Sequence, residues 1–303
     1  MAQIIGVGAN LLDTLFTLPR YPAEDTKQAA SLVAERGGGP CGTGLVAAAK
    51  LGARCAYIGL CSDDNAGRFL RADFEKYGID TTLMQSVPDT TAFRSCILLC
   101  EENASRTCVF HRGTVPPTTL GDREKAALRE AELLMVDGND LDAAVEAAQL
   151  VRESGGHVLY DAGGRYPGVE RLLPLADLLI PSEEFALGVT GEETTEKAAE
   201  ALQRKYHPTV TVVTQGKQGG VLLDENGLRT YPAFPVTAVD TNGAGDVFHG
   251  AFAFAYLHNW DPDRCCRFAS AVSALKCTGL GARASAPTYA QTMDFLRSRG
   301  FEN

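Results

Sequence analysis

The second half of the chain alternates short apolar runs with longer amphipathic segments, and this alternation limits the fold more than any other feature. Leu133–Val136 is followed by a helical pattern over residues 141–154, in which alanines recur on one face. Further apolar runs follow at 158–160, 178–180 and 209–214. Strands separated by helices are typical of a parallel sheet that is covered on both faces. The pattern therefore predicts a doubly wound α/β fold with a mainly parallel sheet.

Length, charge and cysteine content narrow the class of protein. The 303 residues suffice for a large α/β domain with an appendage. The net charge of −10, without a run of Lys and Arg, argues against nucleic acid as a partner. The chain has no leader-like start and no apolar span of membrane length. Nine cysteines without paired Cys-x-x-Cys spacing predict reduced core residues in a cytoplasmic protein.

The stretch 240–252, Asp-Thr-Asn-Gly-Ala-Gly-Asp-Val-Phe-His-Gly-Ala-Phe, carries the strongest chemical signal. An apolar approach at 234–239 predicts a strand, and the alanine-rich continuation predicts a buried helix. Gly243 and Gly245 leave the turn without bulk, and the amides of a helix start favour an anion. Asp246 would repel that anion unless it accepts the proton of an attacking hydroxyl. The alternative is an ordinary tight turn in which Asp246 caps the helix.

This stretch resembles the C-terminal signature of the ribokinase-like (PfkB) carbohydrate kinases, Asp-Thr-x-Gly-Ala-Gly-Asp-x-Phe. The resemblance implies that Asp246 is the catalytic base and that Gly243, Ala244 and Gly245 form the anion hole for the transferred phosphoryl group. It also implies ATP and Mg²⁺ as cofactors, with K⁺ as a further option. Residues 1–303 would form one catalytic domain whose β-sheet lid comes from about 14–37 and 91–112. Such a lid would exclude water from the reaction.

A second glycine-rich stretch begins at Gly37 and runs Gly-Gly-Gly-Pro-Cys-Gly-Thr. It contains a literal Gly-x-Gly-x-x-Gly, which in a nicotinamide-binding protein would directly follow the first strand. Here the predicted first strand, residues 4–8, lies far upstream, so the dinucleotide interpretation is disfavoured. The stretch is similar to the N-terminal signature of the same kinases, with Thr43 where Asn is usual. The resemblance implies that Gly38, Gly39 and Thr43 contact the sugar.

Three further polar residues are candidates for substrate binding. Asn10 and Asp13 follow the first predicted strand, and ligands of open α/β sheets bind beyond the carboxyl ends of strands. The resemblance implies that Asp13 accepts hydrogen bonds from sugar hydroxyls, while the alternative is a turn cap. Arg106 lies in the segment 103–107, which is predicted to turn into a strand. By resemblance it would lie near the transferred phosphate, and the alternative is a solvated surface charge.

Two C-terminal segments are implicated by the same resemblance. The loop that starts at Thr214, Thr-Gln-Gly-Lys-Gln-Gly-Gly, predicts a hairpin by itself and nucleotide binding by resemblance. Ser182 and Phe185 replace the Asn and Glu that help to organise magnesium in the family. The residues implicated in nucleotide binding are Thr214, Gly216 and Gly219. The residues implicated in a potassium site, mostly through their main chain, are Asp240, Asn242, Lys276, Gly279, Gly281 and Ser285. The alternative for that segment is an ordinary helix C-terminus.

The expected function is ATP-dependent transfer of a phosphoryl group to a hydroxyl of a sugar or sugar-like alcohol. The motifs are similar to those of sulfofructose kinase and ketohexokinase-like sugar kinases, although Asn139 lies where the former branch has a sulfonate-binding Arg. A nucleoside kinase of the same fold and a non-enzymatic sugar or nucleotide sensor remain alternatives. An NAD-binding protein is a more distant one. Exposed sheet edges of the lid also predict a homodimer.

Overall fold

The computed structural model describes residues 2–103 and 105–301. Its strands are β1 (Ile4–Val7), β2 (Leu11–Leu18), β3 (Leu32–Gly38), β4 (Cys55–Tyr57), β5 (Gly59–Ser62), β6 (Met84–Val87), β7 (Arg94–Cys100), β8 (Arg106–His111), β9 (Leu133–Val136), β10 (His157–Ala162), β11 (Leu178–Pro181), β12 (Val210–Thr214), β13 (Gly220–Asp224) and β14 (Gly227–Tyr231). Its α-helices are α1 (Pro40–Leu51), α2 (Asn65–Lys76), α3 (Asp122–Arg129), α4 (Leu141–Glu153), α5 (Glu183–Thr190), α6 (Thr195–Tyr206), α7 (Ala244–Leu257), α8 (Pro262–Cys277) and α9 (Tyr289–Ser298).

Eight strands form the main sheet in the order β14-β13-β12-β11-β10-β9-β1-β4. The strands from β12 to β4 run parallel, and the β12-β13-β14 edge is antiparallel. This arrangement confirms the predicted doubly wound, mainly parallel sheet. The carboxyl ends of β1, β9, β10 and β11 share one edge of the sheet, where ligands of such folds bind.

Apolar side chains alternate between the two faces of the central strands. In β9, Leu133 and Met135 belong to one buried cluster, whereas Leu134 and Val136 belong to the cluster on the opposite face. Successive side chains of a strand point to opposite faces. A strand covered by helices on both sides must therefore be apolar throughout, which explains the continuous run Leu-Leu-Met-Val.

A separate four-stranded sheet has the order β3-β2-β7-β8. Strand β2 pairs parallel with β7, while β3 and β8 form the antiparallel edges. Strand β3 includes Gly37 and Gly38, so the second glycine-rich stretch begins within a strand. The turn predicted before Arg106 includes Ala104, which lies outside the described residues. Every residue of β8 is exposed, so Cys108 is not the core residue that the sequence predicts.

One strand prediction is wrong, and two strands that are neighbours in the sequence belong to different sheets. Residues 234–239 form no strand, and Pro235 within them cannot donate a ladder hydrogen bond. Strand β4 belongs to the main sheet, whereas β5 pairs with β6 in a separate two-stranded sheet. Among residues 2–103 and 105–301, the helices are too short or too polar to cross a membrane.

Two glycines bring the starts of α1 and α7 close together. A Cβ on Gly250 would lie 2.0 Å from the Gly44 carbonyl oxygen, and a Cβ on Gly44 would lie 3.2 Å from the Asp246 carbonyl oxygen. Any larger residue would force the helices apart. The helices that follow the two glycine-rich motifs thus pack against each other near their N-terminal ends.

Candidate active site

The site is built around the first turn of α7. Gly243 precedes the helix in the left-handed region, with φ 76°, and a Cβ there would lie 2.4 Å from the Ala282 Cβ. Gly245 is exposed, and a Cβ added there would meet no heavy atom within 4 Å. The first amides of a helix have no intrahelical acceptor. Ala244 N donates to the Thr241 carbonyl oxygen at 3.2 Å, so the open space at Gly245 adjoins the next amides of the turn, and the start of a helix suits an anion.

Asp246 lies half-buried in the same turn. Burial raises the pKa of its carboxyl to about 7, and the nearby Asp161 carboxylate adds to that shift. The charges of His249 and Arg106 act in the opposite direction on this pKa. A carboxyl that titrates near neutral pH can accept a proton from a hydroxyl more effectively than an exposed carboxylate.

His249 joins this turn to two central strands, and the sequence analysis did not identify it. Its Nδ1 lies 2.6 Å from the Gly245 carbonyl oxygen and 3.3 Å from Asp161 Oδ2, while Nε2 lies 2.9 Å from the Ile180 carbonyl oxygen. Burial lowers the pKa of His249 and raises that of Asp161. His249 is three residues after Asp246, so the two side chains lie one helical turn apart. This spacing was the signal in the sequence that could have identified His249.

A cavity of about 540 Å³ opens beside the N-terminus of α7. It is lined by Thr214, Gly216 and Gly219 of the β12–β13 hairpin together with Ala244 and Gly245, two groups of residues that the resemblance implicates in nucleotide binding and in the anion hole. Its apolar lining includes Tyr231 and Phe248, whose rings stack at 5.9 Å, and the coil around Phe234. Apolar walls with a few polar groups at one end are typical of nucleotide sites. An apolar cavity that ends beside the N-terminus of α7 fits a nucleotide such as ATP.

Asp13 lies on β2, opposite the glycine-rich end of β3. Its side chain is 5% exposed, Ser95 Oγ donates to its Oδ1, and burial raises its pKa. The nearby side chain of Asn242 acts in the opposite direction on this pKa. A Cβ on Gly38 would lie 2.1 Å from Asp13 Oδ2. Gly38 is therefore required to leave room for the Asp13 carboxylate, and not merely to let a ligand approach.

Arg283 is a buried residue that the sequence analysis missed, and it explains two more of the glycines. Its side chain is 2% exposed, and its Nη1 lies 2.8 Å from Asp73 Oδ2. Its Nη2 donates to Asn10 Oδ1 at 2.8 Å and to the Gly38 carbonyl oxygen. A Cβ on either Gly37 or Gly42 would lie 2.3 Å from this guanidinium. The two glycines form the passage for Arg283.

The remaining predicted substrate residues differ in accessibility. Asn10 Nδ2 and Thr43 Oγ1 are buried and have no hydrogen-bond partner in the described part of the chain. Asn10 lines a second cavity, of about 600 Å³, together with Phe93, Arg112 and Asn139. Thr43 is fully enclosed. Gly39 has a left-handed φ of 92°, and a Cβ there would meet the Ala9 carbonyl oxygen. Both facts favour glycine at this position. Arg106 is exposed on β8, although its charge reaches Asp246.

Asp137, at the end of β9, is a structural node that sequence analysis did not assign. Its carboxylate accepts hydrogen bonds from the backbone N–H groups of Ala9, Cys41 and Asn139 at 2.9–3.0 Å. The carboxylate thereby connects β9 with the loop after β1 and with the start of α1. Ser182 caps α5 by accepting from Phe185 N, and Phe185 is buried in the core. Neither residue is available as a metal ligand.

Donor groups of the protein itself already hydrogen-bond to the oxygens of the predicted potassium site. Lys276 Nζ lies 2.6 Å from the Asp240 carbonyl oxygen and 3.6 Å from Asp240 Oδ2. Asp240 also accepts from the amides of Asn242 and Gly281, both at 2.8 Å. Ser285 Oγ donates to the Gly281 carbonyl oxygen at 2.6 Å, and Gly279 N donates to the Lys276 carbonyl oxygen. The predicted residues do converge, but they do not fit a potassium ion.

Comparisons with known proteins show which family the chain resembles. The family described as "pfkB family carbohydrate kinase" matches residues 6–289. A ribokinase of Haemophilus influenzae is 29% identical over 86% of this chain and 87% of its own length. An aminoimidazole riboside kinase of Salmonella typhimurium is 30% identical over 84% of this chain and 85% of its own.

A solved structure shows that the similarity includes the three-dimensional fold. A crystal structure of a protein assigned as a ribokinase from Agrobacterium tumefaciens superimposes with a TM-score of 0.93 at 27% identity. The superposition covers 100% of this chain and 99% of the Agrobacterium tumefaciens chain. The family match includes both glycine-rich motifs and the first turn of α7, so the kinase predicted from the sequence is confirmed. The chain belongs to the pfkB family of carbohydrate kinases.

Proposed function

We propose that the protein transfers the γ-phosphoryl group of ATP to a hydroxyl of a sugar or sugar-like alcohol. The observation that carries this proposal is the position of the segment 242–246. Asn242 lies close enough to Asp13 on the acceptor side to lower the pKa of that carboxyl, Gly245 lines the nucleotide cavity, and Asp246 follows directly. One turn of chain thus adjoins both reactants, and it carries a carboxyl group whose pKa is raised towards neutrality.

Each residue of this segment has a role in the proposed reaction. Asp246 accepts the proton of the acceptor hydroxyl. The hydroxyl oxygen then bonds to the γ-phosphorus of ATP, and the bond between the γ-phosphorus and the β,γ-bridging oxygen breaks. ADP leaves with that oxygen. The amides at the start of α7, around Gly243 to Gly245, stabilise the charge on the transferred group. Asp13 and Asn10 hold the acceptor, because their side chains provide buried hydrogen-bonding groups beside this turn.

Magnesium would neutralise and align the phosphates of ATP. Among the described residues, no group of three or more His, Cys, Asp or Glu side chains is placed to hold a metal ion. Mg²⁺ keeps several waters and binds through one or two carboxylates plus phosphate oxygens. Glu183, which accepts a hydrogen bond from Gln215 beside the nucleotide loop at 3.0 Å, is placed to hold one of those waters.

The small sheet acts as the lid in this proposal, and the whole chain forms one cytoplasmic catalytic domain. Strand β2 of the small sheet carries Asp13, and β8 carries Arg106. Movement of this sheet would change both the access of water and the position of two candidate acceptor ligands. The nucleotide residues lie on the main sheet, so lid movement and ATP binding involve different parts of the structure.

A nucleoside acceptor is the second candidate, and a specific observation favours it. The cavity of about 600 Å³ that begins at Asn10 extends past Phe93 and Arg112, which provide an aromatic ring and a cation. A relative that is 30% identical is an aminoimidazole riboside kinase. The cavity would accept a group attached to the sugar. A nucleoside kinase would use the same Asp246 and the same nucleotide cavity.

The test is release of ADP from Mg-ATP across a panel of ketoses, aldoses, polyols, sugar phosphates and nucleosides. A sugar kinase gives strong turnover with one sugar class, whereas turnover confined to nucleosides supports the second candidate. ATP binding is measured separately by calorimetry. Binding of ATP and of a sugar without turnover of any acceptor would refute the kinase proposal and support a sensor.

A further inference from the structure

The last turn of α8 places a fully buried ammonium group beside the anion hole. Lys276 is 0% exposed, and so is the side chain of its partner Asp240. The Nζ lies 2.6 Å from the Asp240 carbonyl oxygen, a short charge-assisted hydrogen bond. An unpaired buried ammonium is strongly unfavourable. Burial lowers the pKa of Lys276, while the Asp240 carboxylate and its hydrogen bond act to raise it.

The oxygens around this ammonium are the ones that a monovalent cation would need. Both carboxylate oxygens of Asp240 are engaged, since Oδ1 accepts from Asn242 N and Oδ2 accepts from Gly281 N. The Gly281 carbonyl oxygen accepts from Ser285 Oγ. A potassium ion requires several such oxygens at once. A second cation beside Nζ would also be repelled by it.

We propose that the Lys276 ammonium is a built-in replacement for a monovalent cation, so that the protein works without potassium. Lys276 connects two segments that would otherwise share a metal ion, residues 240–243 and the loop 278–285. A tethered cation is always present at its site, whereas potassium must bind and order the site each time. The expected effect of Lys276 on turnover rests on the proposed kinase function, whereas its expected effect on thermal unfolding does not.

A short chain of contacts connects Lys276 with the anion hole. Asp240 is three residues before Gly243, and it holds Gly281 through the hydrogen bond from Gly281 N. The next residue, Ala282, packs where a Cβ of Gly243 would be. Removing the ammonium therefore loosens both segments that fix the first turn of α7. Asp240, Asp246 and Cys277 are the titratable groups whose charge acts on Lys276.

The experiment compares potassium chloride with tetramethylammonium chloride at equal ionic strength, so that general screening is the same. Turnover is measured on the best acceptor of the panel, and thermal unfolding is measured without substrates. The variants are Lys276→Ala, which leaves room for an ion, and Lys276→Met, which fills the space without a charge. Lys50→Ala is the matched control, because Lys50 Nζ donates to the Ala284 carbonyl oxygen at 3.0 Å but does not contact Asp240.

The wild-type protein should show the same turnover and unfolding temperature in both salts, within about twofold for the rate. Lys276→Ala should lose roughly tenfold or more of its turnover in tetramethylammonium, because the amides at α7 lose their fixed positions. Potassium should restore much of that turnover and raise the unfolding temperature of this variant. Lys276→Met should be impaired in both salts, and Lys50→Ala should respond to neither.

Several results would overturn the inference. Activation or thermal stabilisation of the wild-type protein by potassium would show that an ion binds despite Lys276. Full turnover of Lys276→Ala in tetramethylammonium would show that the ammonium has no effect on the anion hole. If Lys276→Ala does not fold in either salt, the comparison of the wild-type protein in potassium and in tetramethylammonium tests the inference without the variant. If no acceptor is turned over, the kinase proposal has failed. The unfolding temperatures in the two salts then still test whether Lys276 replaces potassium.

Discussion

At the scale of single residues, the environment of Asp246 sets the pH dependence of the reaction. Burial raises its pKa to about 7, so the protonated form predominates below that pH. Only the ionised form can accept a proton. We expect kcat/KM to fall about tenfold per pH unit below roughly pH 7 and to reach a plateau above it. A pH–rate profile checks this. A plateau that extends to pH 5 would contradict the assigned base.

Asp246→Asn should separate catalysis from stability. Loss of the proton acceptor is expected to lower kcat by roughly 10²-fold to 10⁴-fold while ATP binding is retained. The raised pKa means that the folded state binds the proton more tightly than the unfolded state, so ionisation destabilises the fold as pH rises from about 4 to 7.

Asparagine removes that ionisation. The variant should therefore be at least as stable as the wild type at pH 8. Calorimetric ATP binding and denaturant unfolding provide the two measurements. A variant that keeps most of its kcat would refute the role of Asp246. A variant that loses ATP binding and stability together would show a structural defect instead.

At the scale of elements, β3 and α1 form a passage for Arg283 rather than a simple ligand-binding loop. The guanidinium lies between Gly37 and Gly42 and fixes the orientation of the Asn10 amide. With Oδ1 engaged by Arg283, Asn10 has its Nδ2 donor free. The acceptor group bound by Asn10 should thus be an oxygen that accepts a hydrogen bond.

Gly42→Ala tests this passage. The added methyl group would lie 2.3 Å from Nη2 of Arg283, so the guanidinium must move. We expect a loss of about 1–3 kcal/mol in the free energy of unfolding. We also expect a several-fold rise in KM for the acceptor, with KM for ATP almost unchanged.

Gly121→Ala is the control, because its backbone has an ordinary φ of −87° and a Cβ there meets only the carboxylate of Glu124. Steady-state kinetics with each substrate varied in turn, together with denaturant unfolding, distinguish the two variants. Equal rises in both KM values would indicate general damage to the site instead of a displaced Asn10.

At the scale of the whole molecule, the small sheet exposes an apolar surface. Val109 and Phe110 on β8 are 65% and 53% exposed, and Leu32 and Val33 on β3 are 43% and 53% exposed. Strands β3 and β8 are also the two edges of that sheet. Exposed apolar edge strands favour pairing with another chain. We therefore propose that two copies associate through their small sheets.

Val109→Asp should convert such a dimer to a monomer, because a charge would have to be buried in the contact. The effect on the unfolding of the monomer should be within about 0.5 kcal/mol, since the residue is exposed. Sedimentation or light scattering measures the molar mass. Thr230→Asp, on the exposed edge strand β14 of the main sheet, is the control. A wild-type protein that is monomeric at every concentration would refute the proposal.

Sequence alone determined the features that depend on local pattern. The apolar runs and helical periodicity predicted the parallel sheet, and the glycine-rich stretch around Asp246 predicted a helix start suited to an anion. The hairpin residues Thr214, Gly216 and Gly219 were also predicted together, and they do line one cavity. These features extend over few residues, so the chain carries their signal continuously.

Only the tertiary structure decided which distant residues meet. Arg283 contacts Asp73 across 210 positions, and His249 lies beside Asp161 at the end of another strand. The Lys276 side chain reaches the Asp240 oxygens that the resemblance assigned to a potassium ion. A side chain's partners depend on how strands and helices are ordered in space, and no local spacing records that order. The same folding decides why Gly37, Gly38 and Gly42 are glycines, since the atoms that they must avoid come from elsewhere in the chain.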